Sequence, residues 1–428
     1  MKLDHKGWGT VVIVLGIALV IGYTVGRQQG NNATPVAPPS VSVLSPGATL
    51  PGDHPPIGQS SDQGTVDTTA MAAPAAVAPA AMGQSSKFTH FRVGNRNVKG
   101  LLIDGQYVWI GTSGGVIRYD NKTDTHKVFD NKIDGLISNG IFHISKIDGH
   151  LYVGTYGGGL SVYNINADTW KNYNIPDGLA DQFVYDVHKA VNGDLWIATW
   201  SGANRIKGGN LDDPDSWTTF DFENTNGGLP NRWVYALEEG RDGSFWFATE
   251  DGLALYKDDK WRHWKHSDGL GAPYELVKDA IKSTNDPAKA SRHHARNKED
   301  QGLQDVNVAY NPNYIISLKV DKAGVVWAGT WGAGLARFDG QQWKNYTTAD
   351  GLPANHIFML HIDPDGHLWA GTNHGLARMK SDGSGFDVLK MADGLYADNV
   401  FSMAHADDGS MWVGSFGGVA KIAATPNE

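Results

Sequence analysis

From residue 87 onward, short apolar runs alternate with turns that are rich in Gly and Asp. One stretch shows the order clearly: an apolar run at 356–362 and an Asp-Gly turn precede the run 368–372, which is followed by a Gly turn, by 375–379 and by 386–389. Short runs rich in β-branched and aromatic residues are typical of β-strands joined by hairpin turns. The pattern therefore predicts units of four antiparallel strands.

Variants of the run Leu-Trp-Ala-Gly-Thr at 368–372 recur along the chain, which gives seven copies of the motif in total. A repeat spacing in the low forties indicates units that bury their apolar faces only by packing against each other. Four-stranded units in a cyclic set predict an all-β fold, a seven-bladed β-propeller at residues 87–428. The aromatic anchors of the copies are Trp109, Tyr152, Trp196, Trp246, Trp327, Trp369 and Trp412. The six tryptophans among them are expected to form the core between blades.

The two ends of the repeat region complement each other. The seventh unit ends after 417–422 and lacks a fourth strand, whereas residues 87–91 precede the first unit and are similar to outer strands such as 343–346. We expect residues 87–91 to complete the last blade, because this closes the ring and removes an open sheet edge.

Residues 10–26 form an uncharged apolar run. A helix of this length spans about 25 Å, slightly less than the ~30 Å hydrocarbon core of a bilayer. Lys2 and Lys6 precede the run, which favours a cytoplasmic N-terminus. For residues 1–30 the sequence predicts a cytoplasmic tip and a single-pass anchor in a bacterial inner membrane, with the propeller in the periplasm. A cleaved signal peptide followed by secretion is the alternative.

Two further segments differ in composition from the repeats. Residues 31–86 hold half of the chain's 18 prolines and are rich in Ala and Ser, which predicts a disordered linker. An insertion at about 272–311 separates the fourth and fifth units. Within it, 272–282 is predicted to be a short helix and the polar remainder a mobile loop.

Charge and composition argue against several kinds of chemistry. The net charge is −10, with acidic and basic residues interspersed, which argues against nucleic-acid binding. The chain contains no cysteine, so disulfides and thiolate metal sites are excluded, and its histidines follow no metal-binding motif. No cofactor and no metal site are predicted.

One end of the ring carries the candidate binding residues. The turn between the second and third strands of a unit should lie on the same face as the Asp-Gly-Leu links between units and the insertion. The residues that follow the Gly-Thr type pairs occupy this turn, and four of the seven are aromatic: Ser113, Tyr156, Trp200, Glu250, Trp331, Asn373 and Phe416. Exposed aromatic rings on a concave face commonly mark binding. The alternative is that these rings pack between blades.

Polar side chains precede the inner strands on the same face and are candidate partners for ligand hydroxyls. They are Asn139, Gln182, Arg232, Asn313, Asn355 and Asp398, with His356 expected at the channel mouth. Aromatic rings flanked by amide and charged groups suit sugars, whose C–H faces stack on the rings while their hydroxyls bond the polar neighbours. The pattern favours a glycan or a similar polar ligand.

Catalysis has weak support in the sequence. A glycoside hydrolase needs two facing carboxyl groups about 5–10 Å apart. Glu250 is the acidic member of the turn positions and Asp181 is a distant second carboxylate. Acidic residues at turns are usually solvated, so no catalytic residue is predicted and the protein is expected not to be an enzyme.

The combined pattern Asp-Gly-Leu-Pro, Asp-Gly-x-Leu-Trp-(Ala/Ile)-Gly-Thr and Gly-Leu resembles the two-component regulator propeller repeat. The similarity is strongest at Asp350–Arg378 and at Asp177–Thr199. The resemblance implies the extracytoplasmic sensing region of a membrane-bound histidine kinase, a class that often has two rings and that in many cases recognises oligosaccharides. This chain has one ring and no recognisable kinase segment, so we expect any signal to pass through another protein.

These observations give a leading function and two alternatives. The leading hypothesis is a membrane-tethered extracytoplasmic sensor that binds an oligosaccharide or another polar ligand and acts through a membrane signalling or envelope protein. The second is a protein–protein interaction scaffold in the cell envelope. The third is a polysaccharide lyase or hydrolase.

Overall fold

The computed structural model describes residues 87–281 and 286–424 as a succession of short antiparallel strands. The strands of the first half are β1 (Phe88–Asp104), β2 (Tyr107–Thr112), β3 (Gly115–Asp120), β4 (Thr125–Phe129), β5 (Ile141–Ile147), β6 (His150–Thr155), β7 (Leu160–Asn164), β8 (Thr169–Tyr173), β9 (Val184–Lys189), β10 (Leu195–Thr199), β11 (Gly202–Ile206), β12 (Trp217–Phe220), β13 (Val234–Glu239), β14 (Phe245–Thr249), β15 (Gly252–Lys257) and β16 (Lys260–Trp264).

The second half begins with the insertion, which carries helices α1 (Tyr274–Val277) and α2 (Arg292–Asp300). The strands that follow are β17 (Asn311–Val320), β18 (Val326–Trp331), β19 (Leu335–Phe338), β20 (Trp343–Tyr346), β21 (Ile357–Ile362), β22 (Leu368–Thr372), β23 (Gly375–Met379), β24 (Phe386–Leu389), β25 (Val400–His405) and β26 (Met411–Ile422). Short 3-10 turns lie at Ile175–Asp177, Lys207–Gly209, Pro214–Ser216, His266–Asp268, Pro287–Lys289, Thr348–Asp350 and Met391–Asp393.

The described strands form six sheets, whereas the repeat count predicts seven separate blades. Five sheets have four strands each, and the sixth has six strands in the order β25-β26-β1-β2-β3-β4. The prediction of seven separate blades is therefore wrong. The reason is that β1 runs without interruption from Phe88 to Asp104 and pairs on both sides, so the first and last repeat units share one sheet.

The predicted closure of the ring is confirmed. Residues 88–92 of β1 pair antiparallel with residues 418–422 of β26, and residues 98–104 pair with β2. The first strands of the units contact one another in cyclic order, β1, β5, β9, β13, β17, β21 and β25, and β25 returns to β1. A cyclic set of sheets joined by its two chain ends leaves the strands of the clasp without an open edge.

Every first strand contains a β-bulge at the same place. The strand register skips the residue after the one that pairs with the Thr or Ser of the second strand, and the skipped residues are Lys99, Phe142, Tyr185, Tyr235, Ile316, Phe358 and Phe401. A bulge leaves its extra residue unpaired and redirects its side chain. Five of these seven bulge residues are aromatic, so the bulges gather rings around the first strands.

The aromatic anchors of the repeat lie between neighbouring sheets. Trp109 and Trp412 are almost completely buried, and Trp196, Trp246, Trp327 and Trp369 are also buried, which confirms the core prediction for these six; Tyr152 is half-buried. An arginine or lysine lies over five of these six indole rings, at centroid distances of 5.4 Å for Lys421 on Trp412 and 5.8 Å for Arg337 on Trp327. A cation thus covers one face of each of these five rings.

The insertion is more ordered than the sequence suggests. The helix predicted at 272–282 is a single turn, α1, whereas the segment predicted to be a mobile loop contains the nine-residue helix α2. Burial explains α2: Lys298 forms a buried ion pair with Asp286 and donates to the Val306 carbonyl at 2.5 Å. These tertiary contacts stabilise a polar helix that its own sequence does not predict.

The predicted membrane anchor at 10–26 and the linker at 31–86 lie outside the described residues. Among the residues that the structure does describe, no helix is long and apolar enough to cross a membrane.

Candidate ligand-binding face

The hairpin turns between second and third strands have the same construction in six of the seven units. A threonine at the end of the second strand donates its hydroxyl to the carbonyl of a glycine at the start of the third strand or just before it, at 2.7 Å for Thr155 and Gly159 and at 2.8 Å for Thr199 and Gly202. In the seventh unit, Ser415 instead donates to the Ala397 carbonyl at 3.2 Å. Gly202 adopts φ 114°, and a Cβ there would clash with the Phe220 carbonyl at 2.2 Å. The Gly and Thr of the repeat therefore fix the turn, and the residue after Thr is placed on one face.

Four half-buried aromatic side chains form a continuous series on this face, and we name them the aromatic platform: Phe142, Tyr156, Phe183 and Trp200. Ring centroids are 5.5 Å apart for Phe142 and Tyr156, 4.8 Å for Tyr156 and Phe183, and 4.7 Å for Phe183 and Trp200. The last two contacts are edge-to-face, the geometry that the ring quadrupoles favour. Burial raises the pKa of Tyr156, so its hydroxyl stays protonated at neutral pH.

The insertion borders the platform at Trp233. This buried indole meets Trp200 edge-to-face at 4.6 Å and stacks on His293 of α2 at 3.9 Å. His294 stacks on Tyr314 at 5.5 Å, and Tyr314 stacks on Trp331 at 5.4 Å. The insertion thus places two imidazoles among the rings of the fourth and fifth units.

Trp331 and Glu250 occupy turn positions but belong to the interior. Trp331 is only 7% exposed and meets His356 edge-to-face at 5.2 Å, so the packing alternative describes it better than the binding one. Glu250 is fully buried beneath α2. Its carboxylate pairs with His294, lies 3.4 Å from His293 Nε2 and accepts a hydrogen bond from Asn297 Nδ2 at 2.9 Å.

The charge of Glu250 is stabilised by its neighbours. Burial acts to raise its pKa, but the positive charge of His294 and hydrogen bonds from His293 and His294 outweigh burial, so the pKa of Glu250 lies below its usual value. A carboxylate enclosed in this way holds α2 against the ring. Asp181, the second acidic candidate, accepts hydrogen bonds from Phe183 N at 2.9 Å and from Ser201 Oγ at 2.7 Å within its own turn.

The remaining turn positions contribute no ring to the platform. Ser113 and Phe416 are exposed, Phe416 by 40%, and Asn373 is half-buried at the turn between β22 and β23. Within residues 87–281 and 286–424, no ring contact joins Phe416 to the platform. The structure therefore brings together Tyr156 and Trp200 but not Phe416.

Most of the polar candidates stabilise links between units. Side-chain oxygens of four of them accept hydrogen bonds from backbone N–H groups of the preceding link, at 2.6–3.0 Å: Asn139, Asn313, Asn355 and Asp398. His356 is buried and contacts the Ala309 carbonyl through Nε2 at 2.7 Å, and burial lowers its pKa to about 4. Gln182 and Arg232 are exposed, and Arg232 forms a bidentate pair with Glu223.

Sequence reasoning missed several members of this face. Phe142, Phe183 and Trp233 all contribute rings, and Lys99 lies over the Phe142 ring at 4.4 Å. Aligning the first strands of the seven units would have revealed Phe142 and Lys99, because both are the bulge residues of their strands.

The cyclic sheets and their shared turn face define the protein class as a β-propeller. Residues 228–251 and 351–374 match the model of the two component regulator propeller family. The chain therefore carries two component regulator propeller repeats. The second match coincides with the predicted repeat at 350–378, whereas the first falls at 228–251 rather than at 177–199.

Solved structures share the fold. The extracellular domain of a protein described as a hybrid two component system from B. thetaiotaomicron is 17% identical, with a TM-score of 0.59, over 78% of this chain and 40% of that chain. The extracellular domain of a protein described as a one component system from the same organism is 21% identical, with a TM-score of 0.55, over 79% and 40%. The chain thus spans about 40% of the length of these domains.

A third similar structure is an enzyme. Virginiamycin B lyase from Staphylococcus aureus is 11% identical, with a TM-score of 0.54, over 79% of this chain and 99% of the lyase. No curated protein matches the chain by sequence. At these identities the structural similarities establish the fold alone.

Proposed function

We propose that this chain is the extracytoplasmic sensor propeller of a membrane-linked system, that a glycan or similar polar ligand binds on the aromatic platform, and that the signal passes to a partner protein. In this proposal residues 10–26 tether the propeller to the membrane. The observation that carries the proposal is the unbroken series of four half-buried rings between Phe142 and Trp200. The family repeats and the extracellular domains of similar fold support a sensory role.

The platform suits a sugar for physical reasons. Half-buried rings are held rigidly by their neighbours yet keep part of their surface accessible, so a ligand gains contact area without ordering flexible side chains. Gln182, exposed next to Phe183, offers an amide to ligand hydroxyls. The enclosure of Glu250 under α2 supports a binding role rather than a hydrolytic one.

Thermal unfolding of the full-length chain against a panel of oligosaccharides tests the proposal. A ligand that binds only the native state raises the melting temperature. Trp200→Ala should abolish this rise, whereas Trp343→Ala, which removes a half-buried indole from the outer strand β20, should preserve it. A rise that survives in Trp200→Ala would refute the platform as the binding site.

A second candidate function rests on a different feature. Leu276 of α1 is 71% exposed on the insertion, so its apolar side chain is available for contact with another protein. In a scaffold role, Leu276→Asp should reduce recovery of envelope partners by affinity capture, with the exposed Val128→Asp as control. Equal recovery by both variants would remove the insertion from this function.

A further inference from the structure

The first repeat unit carries two basic side chains close to its bulge. At the bulge, where five units place an aromatic ring, the first unit places Lys99. Two residues before Val98, at the position equivalent to Asn139 and Asn355, it places Arg96; the fourth unit has Arg232 there, which pairs with Glu223. Lys99 and Arg96 add positive charge to a chain whose net charge is −10.

Lys99 lies at one end of the platform, and Arg96 lies against a turn of the same unit. The Lys99 ammonium is 4.4 Å from the centroid of Phe142, and Phe142 is the terminal ring of the platform. The Arg96 guanidinium covers Gly114 in the turn of the first unit, so close that a Cβ on Gly114 would lie 2.3 Å from it. The platform is thus bounded by Lys99 at one end and by α2 of the insertion at the other.

No carboxylate among the described residues pairs with either basic side chain. Within residues 87–281 and 286–424, Arg96 and Lys99 form no ion pair, although most other half-buried lysines of the ring do, such as Lys319 with Glu238. Lys99 is half-buried, and burial lowers its pKa to about 7. Burial thus disfavours the charged form of Lys99, and an anionic ligand group would stabilise the ammonium form.

We propose that Arg96 and Lys99 form an anion-recognition corner and that the ligand of the platform is an acidic glycan, one that carries carboxylate or sulfate groups. This inference rests on the proposed function and specifies its ligand class. The sugar rings lie over Phe142, Tyr156 and the rings beyond them. A carboxylate or sulfate at one end of the ligand accepts hydrogen bonds from the Arg96 guanidinium and the Lys99 ammonium.

Binding of three probes to the full-length chain tests this inference: oligogalacturonate, chondroitin sulfate oligosaccharides and neutral xylo-oligosaccharides. We expect at least one acidic probe to bind about tenfold or more tightly than the neutral probe, because charge-assisted hydrogen bonds are stronger than neutral ones. This preference should shrink as NaCl is raised, since salt screens charges. The two acidic probes distinguish carboxylate from sulfate recognition.

Variants separate the corner from general electrostatics. Lys99→Met should reduce the acidic-over-neutral affinity ratio about tenfold, and Lys99→Arg should retain it. Lys344→Met is the matched control, since Lys344 also lies over an aromatic ring, Tyr346, at 4.5 Å but on the outer strand β20. Arg96→Gln, at an exposed position that tolerates substitution, provides a second test if Lys99→Met does not fold.

The outcomes are distinguishable. A neutral probe that binds as tightly as the acidic ones, or an affinity ratio that is the same in wild type, Lys99→Met and Arg96→Gln, would overturn the anion corner and leave the platform function standing. Binding of no probe, acidic or neutral, by thermal shift or calorimetry would overturn both. Loss of the ratio in Lys344→Met as well would assign the preference to overall charge and refute the corner.

Discussion

The pairing between Glu250 and His294 predicts how strongly the insertion is held on the ring. Glu250 is fully buried and His294 is 2% exposed, so removing either leaves the other group without its partner in a dry environment. Breaking a buried ion pair from one side costs about 3–5 kcal/mol. We therefore expect Glu250→Ala and His294→Ala each to weaken docking of α2 by about 3 kcal/mol.

Hydrogen exchange of the backbone amides of α2 measures this docking directly, because these amides exchange when the helix opens. A loss of about 3 kcal/mol corresponds to exchange more than a hundredfold faster. In the double variant the second substitution finds its partner already absent, so the combined loss should fall short of the sum by about 2 kcal/mol. Combining His294→Ala with Asp242→Ala, whose ion pair with Lys257 is exposed at the other end of β14, should give additive losses.

The pH dependence of docking follows from the direction of the Glu250 shift. The pKa of Glu250 is lower in the folded protein than its ordinary value of 4.5. The contribution of Glu250 to the docking of α2 is therefore complete above pH 4.5 and is lost as the pH falls through the lower, folded pKa.

Two outcomes would refute the pairing of Glu250 with His294 as the attachment of the insertion. One is that the losses for Glu250→Ala and His294→Ala are additive, and the other is that neither variant changes hydrogen exchange in α2.

Two further predictions concern the rest of the ring. His356 has a pKa of about 4 in the fold and 6.5 as its ordinary value, so the free energy of unfolding should fall as the pH drops from 6.5 to 4. In urea unfolding, His356→Gln should remove up to about 3 kcal/mol of that fall. A pH profile identical to that of the wild type would contradict this prediction. Phe91 stacks on Trp412 at 5.0 Å, where β1 pairs with β26, so Phe91→Ala should lower the free energy of unfolding by about 2–3 kcal/mol. The control is Phe222→Ala, which should cost less than ~0.5 kcal/mol because Phe222 is 46% exposed. Equal losses for the two phenylalanine variants would show that the clasp does not stabilise the ring.

Local patterns of the sequence determine much of the fold. The alternation of apolar runs and Gly turns sets strand length, and the Thr and Gly of each repeat fix the hairpin that follows. The missing fourth strand of the last unit and the spare strand at 87–91 predict the clasp, because unpaired strand edges must be covered. Repetition makes these patterns reliable, since each unit packs its strands against neighbouring units in the same way.

Other features depend on contacts that no local pattern encodes. The merging of two repeat units into one six-stranded sheet follows from the continuity of β1 across both pairings. Helix α2 has a polar sequence that predicts a loop, and it forms because Lys298 and His294 find buried partners in distant segments. The bulge that turns Lys99 and Phe142 toward the face is a property of strand register, which the residue pattern alone leaves open.

Trp200 and Trp331 show most directly which features the sequence determines and which the tertiary structure decides. Both follow the same threonine of the repeat, so the sequence determines that each lies on the turn face. The tertiary structure decides their different surroundings: Trp331 packs against Tyr314 and His356 in the interior, whereas Trp200 stays half-buried beside Phe183. The physical reason is that the insertion enters the ring between the fourth and fifth units and covers the rings there, and this covering depends on the buried Glu250 carboxylate far away in sequence.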